Sequence, residues 1–116
     1  MTEKFKVQFL EDAAEFIEAL DKKAREKIIY NVRKAQITSD RDLFKKLNNE
    51  IWEFRTLYQG LQYRLLAFWD KTDSEETLVI STNAFVKKQS KVPKNEIQKA
   101  KKIRLNYFEE KERLKK

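Results

Sequence analysis

The spacing of apolar residues changes along the chain, and each change marks an element. Phe5, Val7 and Phe9 alternate with Lys4, Lys6 and Gln8, the period-two pattern of a half-buried strand. Glu11 and Asp12 then open a helix, acidic residues suiting its positive N-terminal end. Ala13, Phe16, Ile17 and Leu20 recur at spacings of three and four and form its apolar stripe. Asp21 is the expected N-cap of a second helix carrying Ala24, Ile28, Val32 and Ala35 on one side. Two amphipathic helices with so short a break predict an antiparallel hairpin laid on one face of a sheet. The polar segment Thr38 to Asn49 is expected to hold a helical turn anchored by Leu43, Phe44 and Leu47. Within it, Lys45 and Lys46 read as a solvated pair, with phosphate contact as the alternative.

From Ile51 the period returns to two. Ile51 to Tyr58 puts Glu53 and Arg55 on one face and Trp52 and Phe54 on the other. Gly60, the only glycine, supplies a turn. Gln62 to Trp69 makes the return strand, with Arg64, Leu66 and Phe68 opposite Tyr63, Leu65, Ala67 and Trp69. A polar loop, Asp70 to Glu76, leads into a third strand from Thr77 to Phe85, completing an antiparallel meander. Pro93 marks the first turn of a last helix, whose stripe is Ile97, Ala100, Ile103 and Tyr107, widened by Phe108. The remainder, Glu109 to Lys116, is charged and expected to fray or to meet a partner. The fold class is therefore α+β: an N-terminal strand, a helical hairpin, a three-strand meander and a C-terminal helix.

At 116 residues the chain is expected to be one domain, 1–116. A hydrophobic fraction of 41%, with eight Phe, four Tyr and two Trp, argues for a packed core rather than disorder. Trp52 and Trp69 are assigned to that core. No apolar run approaches the roughly 20 residues of a membrane span, and the N-terminus is not a signal peptide. The absence of cysteine excludes disulfides and fits a cytoplasmic location. The absence of histidine does more. Without His or Cys an ordinary zinc site is not expected, no cofactor is implied, and a histidine base is impossible.

The net charge of +7 is unevenly spread. Residues 1–82 hold 14 Lys and Arg against 15 Asp and Glu, whereas residues 83–116 hold 12 against 4. The excess adjoins the arginine-bearing strands, which favours a polyanion-binding surface over a solubilising tail. Guanidiniums on neighbouring strands and a lysine pair at a strand end suit a polyphosphate such as RNA. Arg55 and Arg64 can present planar forks to phosphate oxygens, and Lys87 a point charge. Base candidates are Glu53, on the face of Arg55, and a lysine of the cationic cluster. The alternative for Glu53 is a structural ion pair with Arg55 or Arg64. Lys88, Lys91, Lys94 and Lys101, with the rest of the Lys99 to Arg104 stretch, are candidates for RNA backbone contacts. Tyr63 and Phe85 are candidates for base stacking, with core packing as the alternative.

Three segments carry a family likeness: Ile51-Trp52-Glu53-Phe54-Arg55, then Tyr63-Arg64-Leu65-Leu66-Ala67-Phe68-Trp69-Asp70, then Phe85-Val86-Lys87-Lys88 followed by Val92-Pro93-Lys94-Asn95-Glu96-Ile97. In this order the chain resembles the RelE/HigB superfamily of toxins from bacterial toxin–antitoxin modules, in its phage-derived HigB-like branch. The resemblance implies a ribosome-dependent endoribonuclease that cuts messenger RNA through the neighbouring 2′-hydroxyl without a metal. It also implies contact with ribosomal RNA and control by a helix-turn-helix antitoxin of the HigA-like kind. Arg64 and Lys87 stand where such toxins carry functional basic groups. Two positions depart from the pattern: Glu53 stands near where RelE has lysine, and Asn83-Ala84 where many relatives have His-Gly. Rival readings are a ParE-like inhibitor of DNA gyrase and a non-catalytic RNA- or antitoxin-binding module.

Overall fold

The computed structural model describes residues 2–72 and 77–115. Its elements are β1 (Lys6–Phe9), α1 (Glu11–Ala19), α2 (Lys22–Thr38), β2 (Phe44–Lys46), β3 (Trp52–Tyr58), β4 (Leu61–Asp70), β5 (Leu78–Lys87) and α3 (Lys94–Leu114). The strands form one five-stranded sheet in the order β1-β5-β4-β3-β2. This is the expected α+β arrangement, with α1 and α2 on one face and α3 on the other. Among the described residues no helix is long and apolar enough to cross a membrane.

The helical hairpin forms where the stripes predict it. Asp21 caps α2 by accepting a hydrogen bond from the Ala24 amide at 3.1 Å, which satisfies one of the amides left over at a helix start. Ala24, Ile28, Val32 and Ala35 are all buried, together with Phe54, Leu65 and Ala67 from the sheet. The helix ends at Ser39, whose left-handed φ of 56° lets its amide reach the Ala35 carbonyl.

The meander β3-β4-β5 turns first at Gln59-Gly60, both with positive φ. That is the signature of a tight hairpin turn whose twist matches its strands. Between β4 and β5 the register slips, so that Leu65 pairs with Ala84 but Ala67 with Ser81. The freed Leu66 carbonyl accepts from the hydroxyls of Ser81 and Thr82, at 3.2 and 3.3 Å. Next to this bulge, buried Asn83 donates to the carbonyl and carboxylate of Glu96, at 3.2 and 3.0 Å. The irregularity thus seats the first turn of α3 against the sheet.

Four sequence expectations are corrected. Phe44, expected in a helical turn, belongs to the edge strand β2, where its ring stacks on Phe54 at 4.3 Å and on Phe5 at 5.2 Å. Aromatic burial outweighs local helical spacing there. The pairing of the N-terminal strand, which the sequence leaves open, is parallel to β5 and extends the meander across its far edge. Pro93 occupies the cap of α3 rather than its first turn. The helix itself runs on to Leu114, because Lys111 in the expected fraying tail is tied to Asp70. Asp70 in turn ends β4 instead of opening a loop; residues 73–76 of that expected loop lie outside the described residues.

Candidate functional site

Strand register decides which of the basic residues meet. Arg55 on β3 lies directly opposite Arg64 on β4, Arg64 lies opposite Phe85 on β5, and Gln62 lies opposite Lys87. Opposed residues of antiparallel strands share a face, and so do residues two apart. Glu53, Arg55, Arg64 and Lys87 therefore project from the same side of the sheet. Lys87 is the diagonal neighbour of Arg64, a backbone separation of roughly 7–8 Å.

Two guanidiniums placed opposite one another repel, and the carboxylate of Glu53 lies between them. Its Oε1 is 3.3 Å from Arg64 Nε and its Oε2 is 3.8 Å from Arg55 Nε. Arg64 is only 3% exposed and Glu53 4%. Burial acts first to lower the pKa of Arg64 below the ordinary guanidinium range, the Glu53 charge raises it again, and the Arg55 charge lowers it. The remaining donors of Arg64 reach the Tyr63 carbonyl at 3.2 Å and the Gln62 side-chain oxygen at 2.9 Å. Glu53 Oε1, Arg55 Nε and Arg64 Nε are buried atoms without an aligned hydrogen bond. Glu53 attracts both guanidiniums through space but is locked to neither by a directional bond.

Beyond the end of β2, the open stretch of β3 lines a cleft of about 490 Å³. Arg55, Arg64 and Gln62 form one wall, and Lys27 and Asn31 from α2 reach it from the other side. Asn31 is fixed there by donating to the Thr56 hydroxyl at 3.1 Å. Asp42 completes the rim. Sequence reasoning missed Asp42, Lys27 and Gln62, since none lies in a segment whose pattern singles it out. Only the turn after α2, tightened by Asp40 accepting from the Asp42 amide at 2.8 Å, brings Asp42 to the strands.

The other sequence candidates are placed as follows. Glu53 lies beneath the two guanidiniums and is not part of the cleft wall, so the general-base reading does not fit this geometry. Tyr63 packs edge-on against Phe16 in the helix-side core, and Phe85 packs with Leu66 and Ala100 under α3. At 5% and 8% exposure neither ring offers a face to a base, which corrects the stacking expectation. Lys87 is half-buried at the strand end, outside the cleft wall. Lys88, Lys91, Lys94 and Lys101 are exposed and likewise lie off the wall. Of the helix cations, Lys99 pairs with Asp12 at 3.2 Å and Arg104 with Glu50 at 3.8 Å, so both help fasten α3 to the rest of the fold. Among the described residues, no group of three or more Asp or Glu is arranged to hold a metal ion.

A second polar cluster lies at the other end of β4. Asp70, 2% exposed, accepts from Tyr107 Oη at 2.5 Å, Lys111 Nζ at 2.7 Å, and the Thr72 hydroxyl and amide at 2.6 and 3.0 Å. Burial alone would raise its pKa, but these donors outweigh burial and hold it below the usual carboxylate range. Every donor belongs to the fold itself, so the cluster works as a latch between β4 and α3.

Comparison with known proteins adds one match. The family described as phage derived protein Gp49-like (DUF891) matches residues 15–105, from within α1 to the middle of α3. No curated protein matches the chain.

Proposed function

The chain belongs to the phage-derived Gp49-like family, and on that premise we propose that it is a ribosome-dependent mRNA endoribonuclease, the toxin of a toxin–antitoxin module. One observation carries the reading: Arg55 and Arg64, opposite each other on neighbouring strands, line one cleft with the carboxylate of Asp42.

In this scheme the scissile phosphate lies over the two guanidiniums. Gln62 is exposed, and its side-chain oxygen takes a hydrogen bond from Arg64; a phosphate oxygen can take its place. Charge that develops on the nonbridging oxygens then meets two forks whose positions the strands fix in advance, with Lys87 adding a point charge from the diagonal position. Glu53 orients the pair from beneath. Asp42 is the carboxylate on the rim, and it takes the proton from the 2′-hydroxyl as that oxygen attacks phosphorus. The bond to the 5′-oxygen breaks, and water supplies the proton the leaving group needs. The products are a 2′,3′-cyclic phosphate and a 5′-hydroxyl end.

A carboxylate is a weak base at neutral pH, and no histidine is present. Orientation must therefore carry much of the rate, and positioning can contribute on the order of 7–11 kcal/mol. A codon held on the ribosome supplies that positioning. Lys88, Lys91, Lys94 and Lys101, exposed on the α3 side, are the groups for ribosomal RNA, and a helix-turn-helix antitoxin would keep the protein silent. Both partners imply a cytoplasmic site of action.

The test is a defined message translated with ribosomes and this protein, with RNA ends mapped afterwards. Discrete codon-linked cuts are expected, and Asp42→Asn should slow them by about 10²–10⁴-fold. Intact RNA alongside blocked DNA supercoiling would transfer the protein to the gyrase inhibitors. Cutting that is indifferent to Asp42 would remove that residue from the chemistry.

A further inference from the structure

A second cleft adjoins the first and shares Arg55 and Asp42 with it. It holds about 460 Å³ along the edge strand β2 and is lined by Arg41, Lys45, Lys46 and the ring of Trp52. We propose that this β2-edge cleft binds the single-stranded RNA that flanks the cut, as a subsite continuous with the reaction cleft. The proposal rests on the endoribonuclease reading and extends it to the substrate's path.

Register supplies the first argument. Lys45 lies opposite Glu53 and so shares the face of Arg55, Arg64 and Lys87. Four successive strands, β5, β4, β3 and β2, thus each contribute one cation to one face. At roughly 4.8 Å between strands, the row covers about 14 Å across the sheet and also steps along the strands at each end, since Lys45 and Lys87 are diagonal neighbours of Arg55 and Arg64. Lys45, Arg55 and Lys87 can follow a phosphate backbone laid across the strands, while buried Arg64 adds its charge from below the surface. The row does not resemble the scattered mixed charge of an ordinary solvated surface.

The make-up of the second cleft supplies the other argument. Arg41, Lys45 and Lys46 are exposed and have no ion-pair partner among the described residues. Lys46 lies opposite Trp52 and shares its face, whereas Lys45 shares the face of Arg55. The cleft thus wraps the edge of β2 with exposed cations on both sides and a half-buried tryptophan on one, a cationic track with an aromatic wall for a base. Trp52 is held in place by stacking on Phe44 at 5.0 Å and by an edge contact with Trp69 at 5.6 Å. Asp42 lines both clefts, and hydroxyl or amino groups of a nucleotide can donate to it. The exposure of Lys45 and Lys46 agrees with their reading as a solvated pair; the cleft favours the alternative, contact with phosphate.

Binding of a ~9-nucleotide single-stranded oligoribonucleotide, within the range of known single-strand sites, can be followed by fluorescence anisotropy across a salt series. Lys45→Ala/Lys46→Ala should weaken binding about tenfold at moderate salt and flatten the log–log salt slope by about 1.4, the value for two lost phosphate contacts. Both residues are exposed on an edge strand, and a thermal melt within about 2 °C of wild type will show that the fold is intact. Unchanged affinity and slope in the variant would overturn the subsite. So would equal competition by duplex DNA, which would show a general polyanion surface. Message cleavage is measured in parallel on the wild-type protein. If RNA binding depends on Lys45 and Lys46 but no message is cut, the flank site stands and the nuclease reading fails.

Discussion

Glu53 offers the sharpest test of how the arginine pair is held. Its carboxylate lies 3.3 Å from Arg64 Nε. Both side chains are about 95% removed from solvent, and an effective dielectric of about 20 gives this contact an attraction of about 5 kcal/mol. The contact with Arg55 at 3.8 Å adds less than about 1 kcal/mol, because that side chain is one-third exposed. Glu53→Gln keeps the shape and removes the charge, leaving buried Arg64 facing Arg55 with nothing between them. The expected loss is about 3–5 kcal/mol, a large part of the roughly 5–15 kcal/mol that stabilises a typical domain. Arg64→Met should cost less, since Arg55 can still answer Glu53. The double variant Glu53→Gln/Arg64→Met removes both charges together, so its loss should fall short of the sum by about 2–3 kcal/mol. Urea unfolding of the four proteins measures the cycle directly. Additivity within about 0.5 kcal/mol would refute the argument, and Glu53 would then be a buried carboxylate with no particular duty to Arg64.

Three further outcomes follow from the same geometry. Lys87→Ala should cut ribosome-dependent cleavage by about 10–100-fold while shifting stability by less than about 0.5 kcal/mol, as read from mapped RNA ends and a urea curve. Asp70→Asn should lower stability by about 2–4 kcal/mol, since it removes the charged acceptor from Lys111 and Tyr107. The folded pKa of Asp70 is lowered, so its contribution is complete above the unfolded carboxylate value of about 3.9 and fades as pH falls below it. The gap between acid melts of wild type and Asp70→Asn should therefore begin to narrow below about pH 4 and keep narrowing as pH falls toward the lowered folded value, and a gap that stays constant to low pH would count against the latch. Asp21→Ala should cost about 1 kcal/mol through loss of the α2 cap, visible as a shifted thermal midpoint.

The fold was largely legible because most of its elements advertise themselves locally. Alternation marks β3, β4 and β5, apolar stripes mark the helices, and Asp21 marks a cap. Local signals fail where packing at a distance decides. Phe44 joins β2 because Phe5 and Phe54 are there to receive its ring, and three residues are too few to carry a period. The parallel pairing of β1 with β5 leaves no trace in either segment. At the site, alternation and the β3–β4 hairpin imply that Arg55 and Arg64 share a face, but Lys87 joins them only through the register slip between β4 and β5. What the strands do not reveal is depth. Glu53 and Arg64 sit below the surface, Tyr63 and Phe85 are drawn into opposite cores, and Asp42 reaches the cleft from a connector with no pattern of its own.

The pairing of β1 has a consequence for how the protein is made. Lys6 meets Leu78, and Phe9 meets Ser81, so the first strand to be synthesised can dock only after its partner far downstream has been added. At about 5–20 residues per second, the wait for those 72 positions lasts about 4–14 s. Throughout it the strand lacks its sheet partner, and Val7 and Phe9 have only the helix-side core to pack on. A nascent chain halted before Leu78 keeps the hydrogen bonds of Lys4 and Phe5 to Gln36 on α2, but its sheet must end at an unfinished border.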